Sequence, residues 1–141
     1  MPTPSFDQIK IGDEIPAICK TITQEKINRY ADASGDYNPI HVDPEFAKNT
    51  MFKGTIGHGM MTLAYISEMM TNWLGSGWIY GGNMEVTFFA PTRPELSYAI
   101  KGKVVDKKEE AGKKVVECEI WCEDQDGNKV VAGKTSGQLL T

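Results

Sequence analysis

The sequence predicts an α+β fold, an antiparallel sheet with one face laid over a long apolar helix. Three observations carry this. Residues Met60 to Leu74 combine good helix formers with apolar residues on nearly every face, the mark of a buried helix. Four strand-like stretches follow it, joined by short turns and largely alternating apolar with polar residues. One extended stretch and shorter helical signals precede it.

Glu14 to Thr23 reads as extended, with Ile15, Ile18 and Ile22 set among small and polar residues. Thr23 then offers a helix N-cap and Glu25 favours the first turn. Ile27, Tyr30 and Ala31 follow at helical spacing, and Gly35 can end the helix in a left-handed cap. Residues 36–40 cannot continue that helix because Pro39 forbids it. Asp43 before Pro44 starts a short helix that runs through about Lys48. Gly54, Gly57 and Gly59 punctuate a loop, and the long helix follows as far as Gly75.

Asn83 to Ala90 reads as a strand stopped by Pro91 and Pro94. Leu96, Tyr98, Ile100 and Val104 then alternate with polar neighbours. Lys107 to Lys114 reads as a charged turn containing Gly112. Val116, Cys118, Ile120 and Cys122 face one way, and Glu117, Glu119 and Glu123 the other. Asp126-Gly127 signals a hairpin, and Lys129 to Leu139 makes the last strand. Both sheet edges are expected to be open, which favours pairing with a second subunit. No repeat or linker divides the chain, so residues 1–141 read as one domain.

The 141 residues are 40% hydrophobic and 24% charged, enough to bury about two thirds of the unfolded surface without disulfides or metals. Fifteen basic residues against nineteen acidic ones give a net charge of −4, which argues against a nucleic-acid partner. A local lysine cluster can still hold an anionic small ligand. No secretory signal and no membrane-spanning run is visible, and a cytoplasmic location is expected. Cys118 and Cys122 would stand about 13 Å apart along one strand, too far to bridge. With Cys19 they read as reduced packing thiols, and two histidines argue against a zinc site.

The polar run Tyr30-Ala31-Asp32-Ala33-Ser34-Gly35-Asp36-Tyr37-Asn38-Pro39-Ile40-His41 carries the chemistry. A carboxylate and an imidazole five residues apart on a proline-stiffened loop suit acid–base work on a water. From spacing alone, Asp36 reads equally as a turn-forming residue and His41 as a helix-flanking one.

The run Ser-Gly-Asp-x-Asn-Pro-Ile-His, with Ala47 beyond it, closely resembles the hydratase motif of MaoC-like dehydratases, which include the (R)-specific enoyl-CoA hydratases. The resemblance continues through Gly57-His58-Gly59-Met60 and Phe88-Phe89-Ala90-Pro91-Thr92-Arg93-Pro94. It implies a hot-dog fold, a curved sheet wrapped around the long helix. It implies that Asp36 and His41 are the catalytic pair, adding water reversibly across the 2,3 double bond of a trans-2-enoyl thioester. It makes the backbone N–H of Gly59 the oxyanion donor, where a helix N-terminus offers free N–H groups and positive potential. Ser67 falls at the position of a family active-site serine and is taken to support the loop. Asn38 is expected to fix the loop by side-chain-to-backbone bonds, and His58 either to hold the segment before the helix or to join the chemistry.

No cofactor is implied beyond the CoA thioester as substrate. The single unit is expected to complete its site as a homodimer or higher even oligomer. Arg93, Lys101 and Lys103 are candidates for the CoA phosphates, and Met60, Met61, Met69 and Met70 for an acyl slot. An acyl-CoA thioesterase and a non-catalytic acyl-CoA binding module are the alternatives on this fold. The Asn-Pro-x-His element is not what the thioesterases resemble, and intact Asp36 and His41 argue against the binding module.

Overall fold

The computed structural model describes residues 2–140. In chain order the elements are β1 (Glu14–Ile22), α1 (Gln24–Ser34), α2 (Pro39–Val42), α3 (Pro44–Ala47), α4 (Gly59–Leu74), α5 (Ser76–Gly81), β2 (Asn83–Phe88), β3 (Leu96–Glu110), β4 (Lys113–Glu123) and β5 (Lys129–Leu139). The five strands form one antiparallel sheet in the order β1-β3-β4-β5-β2. The two strands that come first in the chain therefore lie at opposite edges.

Local chemistry sets the limits of α1. Thr23 Oγ1 accepts from the Lys26 N–H at its start, and Gly35, at φ 77°, donates its N–H to the Ala31 carbonyl at its end. In β4, Val116, Cys118, Ile120 and Cys122 are buried. The alternate Glu117, Glu119 and Glu123 pair on the other face with Lys108, Lys103 and Lys101. The inner face packs on α4, where Ile66, Met69 and Met70 are fully buried alongside Ile100, Val104, Ile120 and Val131.

Three expectations need correction, and one helix, α5, is not among those predicted. The charged stretch 107–114 is strand, not turn: β3 runs to Glu110 and β4 starts at Lys113. The turn is only Ala111-Gly112, at φ 50° and 78°, a pair of positive values that suits the twist of a two-residue hairpin. The charged residues there are solvated strand faces. β2 ends at Phe88 rather than Ala90. The glycine-flanked aromatics after α4 form α5, which lies on β5 because Gly77 has no Cβ; one would sit 1.8 Å from the Gln138 carbonyl oxygen. Finally, α4 is not enclosed on all sides: Met60 is 63% exposed and Ala64 is also exposed, so its first turns present an open flank.

Candidate active site

The loop between α1 and α2 is built by its own side chains. Asp36 Oδ1 accepts from the Asn38 N–H at 3.1 Å, and Asn38 Oδ1 accepts from the Ile40 N–H at 3.1 Å as the N-cap of α2. The second carboxylate oxygen is left free for other work. Asp36 Oδ2 lies 3.9 Å from His41 Nε2. The two sequence readings of Asp36 are thus not rivals: one oxygen makes the turn and the other faces the imidazole.

His41 is buried and oriented from behind. Its Nδ1 lies 2.8 Å from the Ile56 carbonyl oxygen. A carbonyl can only accept, so Nδ1 carries the proton and, in the neutral ring, Nε2 offers its lone pair to the site. His58 stacks on His41, with ring centroids 3.9 Å apart and planes 25° from parallel. His58 Nε2 donates to the Asp36 main-chain carbonyl at 3.0 Å, tying the loop to the start of α4.

Gly59 opens α4 directly after His58. The N–H groups of Met61 and Thr62 turn back to the His58 carbonyl. Those of Gly59 and Met60 have no such partner among the described residues. His41, Gly57, Gly59, Thr62, Phe88 and Thr92 share the wall of one cavity of about 330 Å³. Asp36, His41, His58 and Gly59 therefore come together.

Ser67 does not join them. Eight residues along α4 place it about 12 Å from Gly59. Its hydroxyl accepts from Trp78 Nε1 at 2.8 Å, and its carbonyl accepts from Thr71 Oγ1 at 2.7 Å. The expected support of the loop by Ser67 has no hydrogen bond behind it among the described residues; the serine anchors α5.

A family model described as the MaoC like domain matches residues 8–125. The (R)-specific enoyl-CoA hydratase of Rhodospirillum rubrum is 36% identical over 108 residues, 73% of this chain and 74% of that protein. The chain belongs to the MaoC-like family. A 3-hydroxyacyl-thioester dehydratase Z of Mycobacterium tuberculosis is 55% identical over 49 residues, 35% of the MaoC-like chain and only 32% of the relative. The solved (R)-hydratase of A. caviae matches at a TM-score of 0.82 and 22% identity, covering 94% of this chain and 98% of that one, and shares the hot-dog fold.

The MaoC-like chain also uses residues that the sequence did not single out. Gln24 Nε2 donates to the His41 carbonyl at 2.7 Å, and Gln24 Oε1 accepts from Thr55 Oγ1 at 2.6 Å. One amide thereby holds α2 and the loop before α4 in register. Its only sequence signal is a polar residue in the first turn of a helix, which is commonplace. Thr92 is buried, lines the cavity, and its Oγ1 has no partner. Asp36, His41 and His58 are also metal-ligand types within 4.8 Å of one another. However, the stacked rings direct their in-plane lone pairs side by side, Nδ1 of His41 is spent on Ile56, and Nε2 of His58 on Asp36. That arrangement fits a hydrogen-bonded pair better than a chelate.

Proposed function

We propose that this chain is an (R)-specific enoyl-CoA hydratase, a hydro-lyase acting reversibly on trans-2-enoyl thioesters. One observation carries the reading: Asp36 Oδ2 and His41 Nε2 face each other at 3.9 Å beside the free N–H of Gly59. That gap is too long for a direct hydrogen bond. A water about 2.8 Å from both acceptors would donate one hydrogen to each at an angle of about 90°, close to the water's own. Its lone pairs then point away from the protein, toward substrate C3.

The reaction follows from this placement. The water oxygen bonds to C3 as the Asp36/His41 pair takes its proton. The thioester oxygen gains enolate charge, which the Gly59 N–H and the N-terminal field of α4 stabilise; such a donor contributes about 3 kcal/mol. The pair returns the proton to C2, so one water is consumed and the acid–base groups are restored. Asn38 fixes the loop, and His58 positions both the loop and the His41 ring, while Ser67 anchors α5 and takes no part in the reaction. No cofactor takes part in this scheme.

The open flank of α4 and the exposed Phe88 and Phe89 at the β2 edge favour a homodimer joined across that edge. The activity test is loss of enoyl-thioester absorbance on a panel of trans-2-enoyl-CoAs, with chiral analysis of the product. Formation of the (R)-3-hydroxyacyl-CoA supports the reading, and release of free CoA thiol without hydration overturns it in favour of a thioesterase. Light scattering that shows a monomer at assay concentration would refute the dimer.

A further inference from the structure

Two buried hydroxyls stand on the wall of the catalytic cavity, and the hydration scheme uses neither. Thr62 lies one helical turn beyond Gly59 on α4, and Thr92 lies on the loop after β2. Thr92 is 4% exposed, and its Oγ1 has no hydrogen-bond partner among the described residues. The main chain beside it is tied, the Gly57 N–H donating to the Thr92 carbonyl at 2.9 Å. Gly57 leaves room for the hydroxyl, since a Cβ there would sit 2.2 Å from Oγ1. A hydroxyl enclosed without a partner is destabilising, and a valine of the same shape would not be. An unpaired polar atom on the wall of a ligand cavity calls for its partner from the ligand.

The rest of the wall defines the chemistry of that partner. Phe52, Ile56, Phe88 and Val131 are apolar, and His41 is the one titratable side chain on the wall among the described residues. With no lysine or arginine there, a carboxylate on the acyl chain would go unpaired. Met69 and Met70, expected to line an acyl slot, are fully buried in the core instead. Gly57 stands two residues from Gly59, at most about 7 Å away, so a short chain held by its thioester oxygen at Gly59 is long enough to reach Thr92. We propose that Thr92 is a specificity-determining residue, selecting enoyl thioesters whose acyl chain carries a neutral oxygen (an ether, ketone or hydroxyl) near its fifth position over plain alkyl chains. This rests on the hydratase reading above. The Thr92 hydroxyl donates to that oxygen and gains the partner it lacks. An alkyl chain in the same place leaves it unpaired, so the two chains differ by one hydrogen bond between neutral groups.

The test uses two isosteric substrates on the same carrier, 4-methoxybut-2-enoyl-CoA and hex-2-enoyl-CoA, which differ by an oxygen in place of one methylene. The wild type should show a kcat/KM about 10-fold higher for the ether, as one added neutral hydrogen bond gives. Thr92→Val should bring the two substrates within about twofold of each other, and Thr92→Ser, which keeps the hydroxyl, should retain the preference. The Tm of Thr92→Val should not fall below that of the wild type, because the change removes an unpaired hydroxyl and keeps the shape. Calorimetric titration with the unreactive thioethers S-(4-methoxybutyl)-CoA and S-hexyl-CoA reads the same contrast as a ratio of dissociation constants. This titration does not depend on turnover: if neither enoyl-CoA is hydrated, the hydratase reading fails while the Thr92 contact is still tested. A wild type with no preference for the ether would overturn the proposal. So would an equal loss on both ligands in Thr92→Val, which would assign the hydroxyl to the carrier arm they share, or a sharply lowered Tm, which would assign it to the packing on Gly57.

Discussion

The division of labour between the two oxygens of Asp36 makes a sharp experiment possible. Asp36→Asn keeps an oxygen that can accept from the Asn38 N–H, so the turn survives. It replaces the oxygen facing His41 with an amide that donates, or cannot deprotonate, and it removes the charge. Loss of one acid–base partner costs about 10²–10⁴ in rate. Asp36→Ala loses the same chemistry and also the turn acceptor, an exposed neutral-donor hydrogen bond contributing about 0.5–1 kcal/mol. In a domain of this size that is a Tm lowered by about 2–4 °C. The two variants should therefore be equally inactive in the enoyl-thioester absorbance assay but separable by thermal denaturation, Asn near wild type and Ala below it. An Asn variant with more than about a tenth of the wild-type rate would refute the catalytic assignment. Two variants of equal Tm would refute the turn.

Ser67→Ala leaves the Trp78 indole N–H without its acceptor, so it should lose about 1–3 kcal/mol of stability in chemical denaturation. Its kcat at saturating enoyl-CoA should stay within about twofold of wild type; a loss comparable to that of Asp36→Asn would return Ser67 to the catalytic loop. Gln24→Leu breaks both ties of the amide clamp and should lower kcat about 10-fold while the KM changes little, because it loosens the base rather than the thioester site. Burial pushes the thiols of Cys118 and Cys122 up to about 12, while Cys19 is exposed. A thiol reagent at mild alkaline pH should thus label one cysteine in the native protein and three in denaturant. The sign of the linked pH effect follows: the folded state holds these protons more tightly. Stability from this source is full below about pH 9, the ordinary thiol value, and falls as pH rises toward 12. A denaturation midpoint that rises across that range would contradict the buried placement.

Much of this architecture is legible in local patterns because local forces decide it. Thr23, Gly35 and Asp43-Pro44 act on their own segments, and the predicted ends of α1 and the start of α3 hold. The alternation around Cys118 and Ile120 requires one buried face, and the sheet supplies it. The errors arise where tertiary contact or residue solvation overrides composition. Lys107 to Glu110 looks like a turn because it is charged, but β4 provides the ladder that keeps it extended. Ser76 to Gly81 has no helical signal of its own because of its glycines, which in fact permit contact with β5. At the site, the spacing of Asp36 and His41 is a local signal and the structure brings the pair together. Gln24 acts through partners 17 residues or more away, and Thr92 lines the cavity with its carbonyl tied to the distant Gly57 N–H, so nothing adjacent to them in sequence marks the role.

The strand order has a consequence for how the protein is made. The centre of the sheet is the meander β3-β4-β5, whose pairings are between neighbours in the chain, whereas β1 closes onto β3 and β2 onto β5 across long intervening segments. Loop-closure entropy makes those edge pairings costlier to form than the meander's. The ribosome, however, releases β1, the Asp36 loop and α4 first. These residues must wait in an unfinished state, with Ile66, Met69 and Met70 lacking the sheet that buries them. The catalytic half is thus synthesised before the sheet that buries it, and β2 can pair only once the last strand to emerge, β5, is available.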